Sequence, residues 1–138
     1  MKRISLILSM VLIGLLICPV AAQARASESI GSYKIDVEEG DGRGEISIGF
    51  TVRATASFPK LGALKIEIYK ANGDYVETIW GNTSNGLLSP NSGRYYSNTY
   101  IYEGTPGVSY YAVVTICAGT AADYDTREIT TSTVRAPY

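Results

Sequence analysis

The strongest constraint on this chain is a strict two-residue alternation over 45–56. Ile46, Ile48, Phe50, Val52, Ala54 and Ala56 fall on one side, and Glu45, Ser47, Thr51, Arg53 and Thr55 on the other. Successive side chains of a strand point to opposite faces, so this segment reads as a strand with one buried face; a helix would scatter the same residues around its circumference. Leu64, Ile66 and Ile68 alternate in the same manner with Lys65, Glu67 and Tyr69. Asn72-Gly73 follows, a pair suited to the left-handed backbone of a hairpin turn, and 75–80 is the return strand. Strand-like runs also occupy 30–37, 94–103, 108–118 and 125–134. The stretch 81–93, rich in Asn, Ser and Gly, reads as a loop, and Gly104-Thr105-Pro106-Gly107 as a turn. Beyond residue 24 no segment repeats apolar residues at helical spacing over three turns. The pattern predicts an all-β chain: a single seven-stranded antiparallel immunoglobulin-like sandwich.

Ile101, Pro106, Gly107 and Tyr110 have the spacing I-x4-P-G-x2-Y, and Ala112, Val114, Ile116 and Ala118 alternate onward from Tyr110. This stretch resembles the end of the fifth strand, the turn and the sixth strand of fibronectin type III domains. The resemblance implies that Ile101 faces the core and that Tyr110 forms a structural tyrosine corner, its hydroxyl bonded to backbone upstream. Two positions depart from the family pattern. Ile46, Ile48 and Phe50 stand where the family carries a tryptophan, and a leucine of the crossover is replaced near Gly104. The whole chain also looks like small secreted proteins of Gram-positive bacteria, which implies export and no particular activity.

Lys2 and Arg3 open the chain, 4–18 is almost wholly apolar, Pro19 ends the run, and Ala22-Gln23-Ala24 places small residues before a cut. This is the layout of a secretory signal peptide, and the run falls short of the ~20 apolar residues that span a bilayer. Cleavage is expected after Ala24, with Ala22 and Ala26 as alternatives. The expected organisation is therefore signal peptide 1–24, a short linker 25–29 and a sandwich domain 30–138, in a secreted, extracellular protein. The exported chain would hold about 114 residues, enough to bury a core without staples. Losing Lys2, Arg3 and Cys18 leaves a net charge of −3 and one cysteine, Cys117, so no disulfide can form within the chain.

The chain has no histidine, which excludes Ser-His-Asp and Cys-His catalysis and histidine-ligated metal. Its slightly negative charge removes the electrostatic basis for nucleic-acid binding. Ser57-Phe58-Pro59-Lys60 has an S-x-x-K spacing, but Pro59 disfavours the helical turn that chemistry needs. The acidic stretch 36–45 (Asp36, Glu38, Glu39, Asp41 and Glu45) does not follow the alternate-position pattern of an EF-hand. A solvated turn is its simpler reading, with calcium left open, and Asp123 and Asp125 fall at the other end of the proposed sandwich. Asn82-Thr83-Ser84 matches a glycosylation acceptor. No catalytic, cofactor-binding or metal residue is assigned.

The remaining candidates are surfaces. If Ile101 faces the core, Tyr96, Asn98, Tyr100 and Tyr102 face outward and could stack on sugar rings or anchor a protein. The alternative is that these tyrosines simply cover the sheet. Trp80, beside the long loop, could extend that platform or cap the core. The register set by Tyr110 turns Tyr111, Val113, Thr115 and Cys117 away from the core. An outward Cys117 invites intermolecular pairing and a covalent dimer; otherwise it is a small hydrophobe buried beneath a loop or under Tyr69. The expected function is a secreted, non-catalytic interaction module for an extracellular protein or glycan, monomeric or Cys117-linked, acting away from membranes and nucleic acid. A small secreted effector or toxin-like protein is the alternative, and a carboxylate-based glycan-acting enzyme a distant third.

Overall fold

A computed structural model describes residues 28–138; the expected signal peptide and residues 25–27 of the linker lie outside the described residues. Among the described residues there is no helix, and eight strands form two antiparallel sheets. The first sheet orders β1 (Ile30–Glu39), β2 (Glu45–Phe58) and β5 (Gly93–Glu103) as β1-β2-β5. The second contains β3 (Lys60–Lys70), β4 (Tyr75–Trp80), β6 (Ser109–Gly119) and β7 (Tyr124–Thr130), ordered β4-β3-β6-β7. The short β8 (Val134–Arg135) pairs with β6 beside β7. The chain thus crosses between sheets after β2, after β4 and after β5, giving a β-sandwich-like arrangement.

One core joins the two sheets. Ile46, Ile48, Phe50 and Val52 come from β2, Ile66 and Ile68 from β3, and Ala112, Val114 and Ile116 from β6, all essentially inaccessible to water. These are alternating residues of the sequence, and burying each Ile, Phe or Val among them is worth roughly 1.5–3 kcal/mol. Leu87 joins this core from within the stretch that composition marks as loop.

The sequence suggests one last strand over 125–134, and the structure breaks it into β7 and β8. Thr131 explains the break. Its hydroxyl accepts a hydrogen bond from the Ala112 N–H at 2.9 Å and donates one to the Ser132 carbonyl at 2.8 Å. A side chain thus takes over a ladder position, which is how Thr competes with regular pairing. Pairing with β6 resumes at Val134.

The β5–β6 turn is held by Tyr110, which is buried and whose hydroxyl accepts the Thr105 N–H at 2.9 Å. A Cβ at Gly104 would lie 2.7 Å from the Tyr110 ring, so a leucine cannot stand there without moving that ring. The Gly104 N–H donates to the Gly44 carbonyl and the Gly44 N–H to the Pro137 carbonyl, both at 2.8 Å. Two turns and the C-terminal segment are thereby tied together. Tyr110→Phe removes one acceptor and leaves the Thr105 N–H unpaired. Urea unfolding should show a loss of about 1–3 kcal/mol with an unchanged denaturant slope.

Candidate functional site

The β5 tyrosines do not form the solvent-facing platform that the Ile101 register implies. Directly paired residues of antiparallel strands share a face. The register sets Tyr102 opposite Ile46, Tyr100 opposite Ile48, Asn98 opposite Phe50 and Tyr96 opposite Val52, and all four of those β2 residues are buried. Tyr102 is accordingly only 8% exposed and meets Tyr110 edge-on, their centroids 5.6 Å apart. Tyr96 packs at 5.9 Å against Phe50, and Tyr100 lies half-buried against the core. Ile101 instead faces solvent opposite Ser47, at 46% exposure.

The physical reason is that a tyrosine near a sheet edge can bury its ring and still carry its hydroxyl to a polar partner. The Tyr96 hydroxyl donates to the Gly86 carbonyl at 2.6 Å, and the Asn98 side-chain amide donates to the same carbonyl at 2.8 Å. Burial pushes the Tyr100 and Tyr102 hydroxyls above the usual tyrosine range. Tyr96 and Asn98 hold a loop, Tyr96 half-buried and Asn98 exposed. Tyr102→Ala should cost roughly 3–5 kcal/mol, whereas Ile101→Ala should stay within about 0.5 kcal/mol, both read by urea unfolding.

The loop they hold is ordered by its own chemistry. The Ala63 N–H donates to the Leu87 carbonyl and the Ser89 N–H to the Leu61 carbonyl, so the loop runs as a short partner along the start of β3. Gly62 permits this approach, because a Cβ there would collide with the Leu87 carbonyl oxygen. The Asn85 side chain accepts from the Asn82 and Leu87 N–H groups and donates to the Trp80 carbonyl. Asn82, the glycosylation-like position, accepts the Asn85 N–H through its own side chain.

Trp80 does not cap the core. It is 63% exposed at the end of β4, with the Lys65 ammonium 5.7 Å from its ring centroid. Register places it in a row with Lys65, Thr115 and Glu128 on the outer face of the second sheet. The next outward row holds Thr78, Glu67, Val113 and Thr130, and the next Tyr75, Tyr69 and Tyr111. Tyr69 stacks on Tyr111 with centroids 5.2 Å apart and 9° between planes, and meets Tyr75 edge-on at 5.7 Å. The hydroxyls of Tyr75, which is 59% exposed, and Thr78 are 2.8 Å apart.

Between the aromatic ends Lys65 and Glu67 form an ion pair at 2.8 Å. The hydrogen bond to Glu67 raises the Lys65 pKa, and desolvation raises that of Tyr69. Thr115 is 7% exposed and its hydroxyl has no hydrogen-bond partner. The alternation of β3 and β6 already turns Tyr69 and Tyr111 outward. Their meeting depends on β3 lying beside β6, which no local pattern announces.

Cys117 is fully buried, so it is not presented for pairing with a second chain. It alternates away from the main core, yet its neighbours across the ladder are Gly62 and Thr126. One residue row further on, Lys60 and Tyr124 meet over Gly119, the ammonium 3.7 Å from the ring centroid. Burial pushes the thiol up to about 11, against a smaller opposing effect of Lys60.

The remaining sequence candidates resolve simply. Ser57 and Phe58 end β2 and Lys60 opens β3, so no helical turn joins the serine and lysine. Glu45 turns its carboxylate back onto the Gly42 N–H at 2.8 Å, and Asp125 accepts the Ser29 N–H at 2.8 Å. Among the described residues no three acidic or cysteine side chains gather as a metal site.

A scan of protein-family models and searches of curated proteins and of solved structures gave no match. The resemblance to secreted Gram-positive proteins gains no support from them.

The shift of the Cys117 thiol from 9.0 to about 11 lowers its thiolate population about a hundredfold at neutral pH. A thiol reagent at pH 8 should therefore react at least about a hundredfold slower with the native protein than with the urea-unfolded chain. The folded state favours the neutral thiol, so its stabilisation is complete below about pH 9 and is lost as pH climbs towards 11. Over that window the wild type should lose stability relative to Cys117→Ala.

Proposed function

We propose that this chain is an exported, non-catalytic interaction module of the fibronectin type III-like class, which meets its partner through the outer face of the β4-β3-β6-β7 sheet. Two features support the class: the strand order β1-β2-β5 against β4-β3-β6-β7, and the bond from the Thr105 N–H to the Tyr110 hydroxyl. The basic start and apolar run at 4–18 support export.

One observation carries the recognition surface. Trp80, Tyr75, Tyr69 and Tyr111 come together on a single outward face. The outer face of the other sheet is mainly polar, with Lys34, Thr51 and Ser97 in one row and Asp36, Gly49 and Thr99 in the next. Tyrosine and tryptophan are the residues that concentrate binding energy, because they add large contact area for little lost rotamer freedom.

The test is surface binding by the fluorescently tagged protein on intact cells and extracellular matrix, read by flow cytometry and imaging. The Trp80→Ala/Tyr75→Ala double variant should bind at least about tenfold more weakly, the loss expected for hot-spot residues. Tyr95→Ala and Ile101→Ala, on the opposite sheet, should bind like wild type. Equal binding by all variants would overturn the assignment.

A further inference from the structure

We infer that this outer face takes an uncharged saccharide chain, laid along the strand direction from Trp80 towards Tyr75. The inference rests on the reading of the face as the recognition surface and names the class of ligand. Both ends of the path present aromatic surface to water, with Trp80 63% and Tyr75 59% exposed. Their partners on β3, Lys65 and Tyr69, are four positions apart, on the order of 13 Å at the rise of a strand. An aromatic face carries the negative part of the ring quadrupole. It therefore suits the C–H-lined, weakly positive face of a sugar ring. The described residues enclose no pocket, so a compact small molecule finds no walls here, whereas an extended chain needs only a platform.

Charge selects among extended ligands. Lys65 is the cation of these rows and is already paired with Glu67, while Glu128 adds a negative charge in the same row as Trp80. An anionic polymer laid along this path meets no spare counter-charge, since Lys60, the next cation outward, lies two rows beyond it over Tyr124. A protein partner would want apolar surface at the centre of the patch. The centre here holds instead the Lys65–Glu67 ion pair and the Thr78 and Thr130 hydroxyls, with Val113 its one apolar side chain.

The experiment is native affinity electrophoresis of the whole protein through gels containing glycogen, hydroxyethyl cellulose or galactomannan. Carboxymethyl cellulose serves as the anionic form of a matched backbone. At least one neutral polymer should retard migration, and carboxymethyl cellulose should retard it less than hydroxyethyl cellulose does. Trp80→Ala should weaken the retarding interaction at least about tenfold. Migration unaffected by every neutral polymer, stronger retardation by the anionic one, or a Trp80→Ala variant identical to wild type overturns the proposal. A protein that docks on cells through Trp80 and Tyr75 yet passes every neutral gel freely keeps its recognition face and loses the saccharide. Docking that ignores Trp80 and Tyr75 removes the face itself.

Discussion

The rest of the structure depends on antiparallel pairing between strands that are not neighbours in sequence, β2 with β5 and β3 with β6. In such a pair, side chains directly opposite each other project to the same side of the sheet. Once Ile46, Ile48, Phe50 and Val52 commit β2 to the core, every residue opposite them is committed too. The orientation of β5 is inherited from β2, even though β5 by itself is a run of tyrosines and polar residues with one isoleucine.

That inheritance decides where aromatic surface is spent. Tyr96, Tyr100 and Tyr102 go to the interior side, where their rings join the core and Tyr96 reaches back to the Gly86 carbonyl. Tyr110 uses its ring and hydroxyl together to close the turn beside Gly104. On the other sheet β3, β4 and β6 lie side by side and set Tyr75, Tyr69 and Tyr111 in one outward row, while Tyr33 and Tyr95 stay exposed on the first. The aromatic content of this chain thus divides into a structural set and a displayed set, and the displayed tyrosines that touch one another lie on the second sheet.

The loop between β4 and β5 links the two sets. Asn85 fastens it to the Trp80 carbonyl, Leu87 plugs it into the core, and Tyr96 and Asn98 grip it at Gly86. The backbone beneath Trp80 is therefore held by a network that starts at Tyr96 and Asn98 on β5. A displayed indole on a fastened backbone loses little freedom when it meets a partner, which is the condition for useful contact energy.

Much of this fold was legible in one dimension. The alternation of 45–56 and of 64–69 marks two strands and, over 46–52 and 66–68, their buried sides, Asn72-Gly73 marks a hairpin, and the resemblance around Pro106, Gly107 and Tyr110 implies a turn closed by a tyrosine, whereas Ala56 is exposed and Leu64 only half-buried beside a bulge. These are local signals: a strand's period and a turn's backbone demands act within a few residues. The facing of β5 was not legible, because isoleucine inward and tyrosine outward is the natural guess when the partner strand is unknown. Nor was the core role of Leu87 inside a polar loop, whereas the burial of Cys117 is one of the two readings the sequence leaves open, decided by its neighbours across the ladder. The sequence alone determined that this chain forms strands, and which residues of the strongest ones avoid water. Only the tertiary structure decided which strands lie together, and with that which tyrosines are buried and which are shown, because a face is a property of paired strands and not of one.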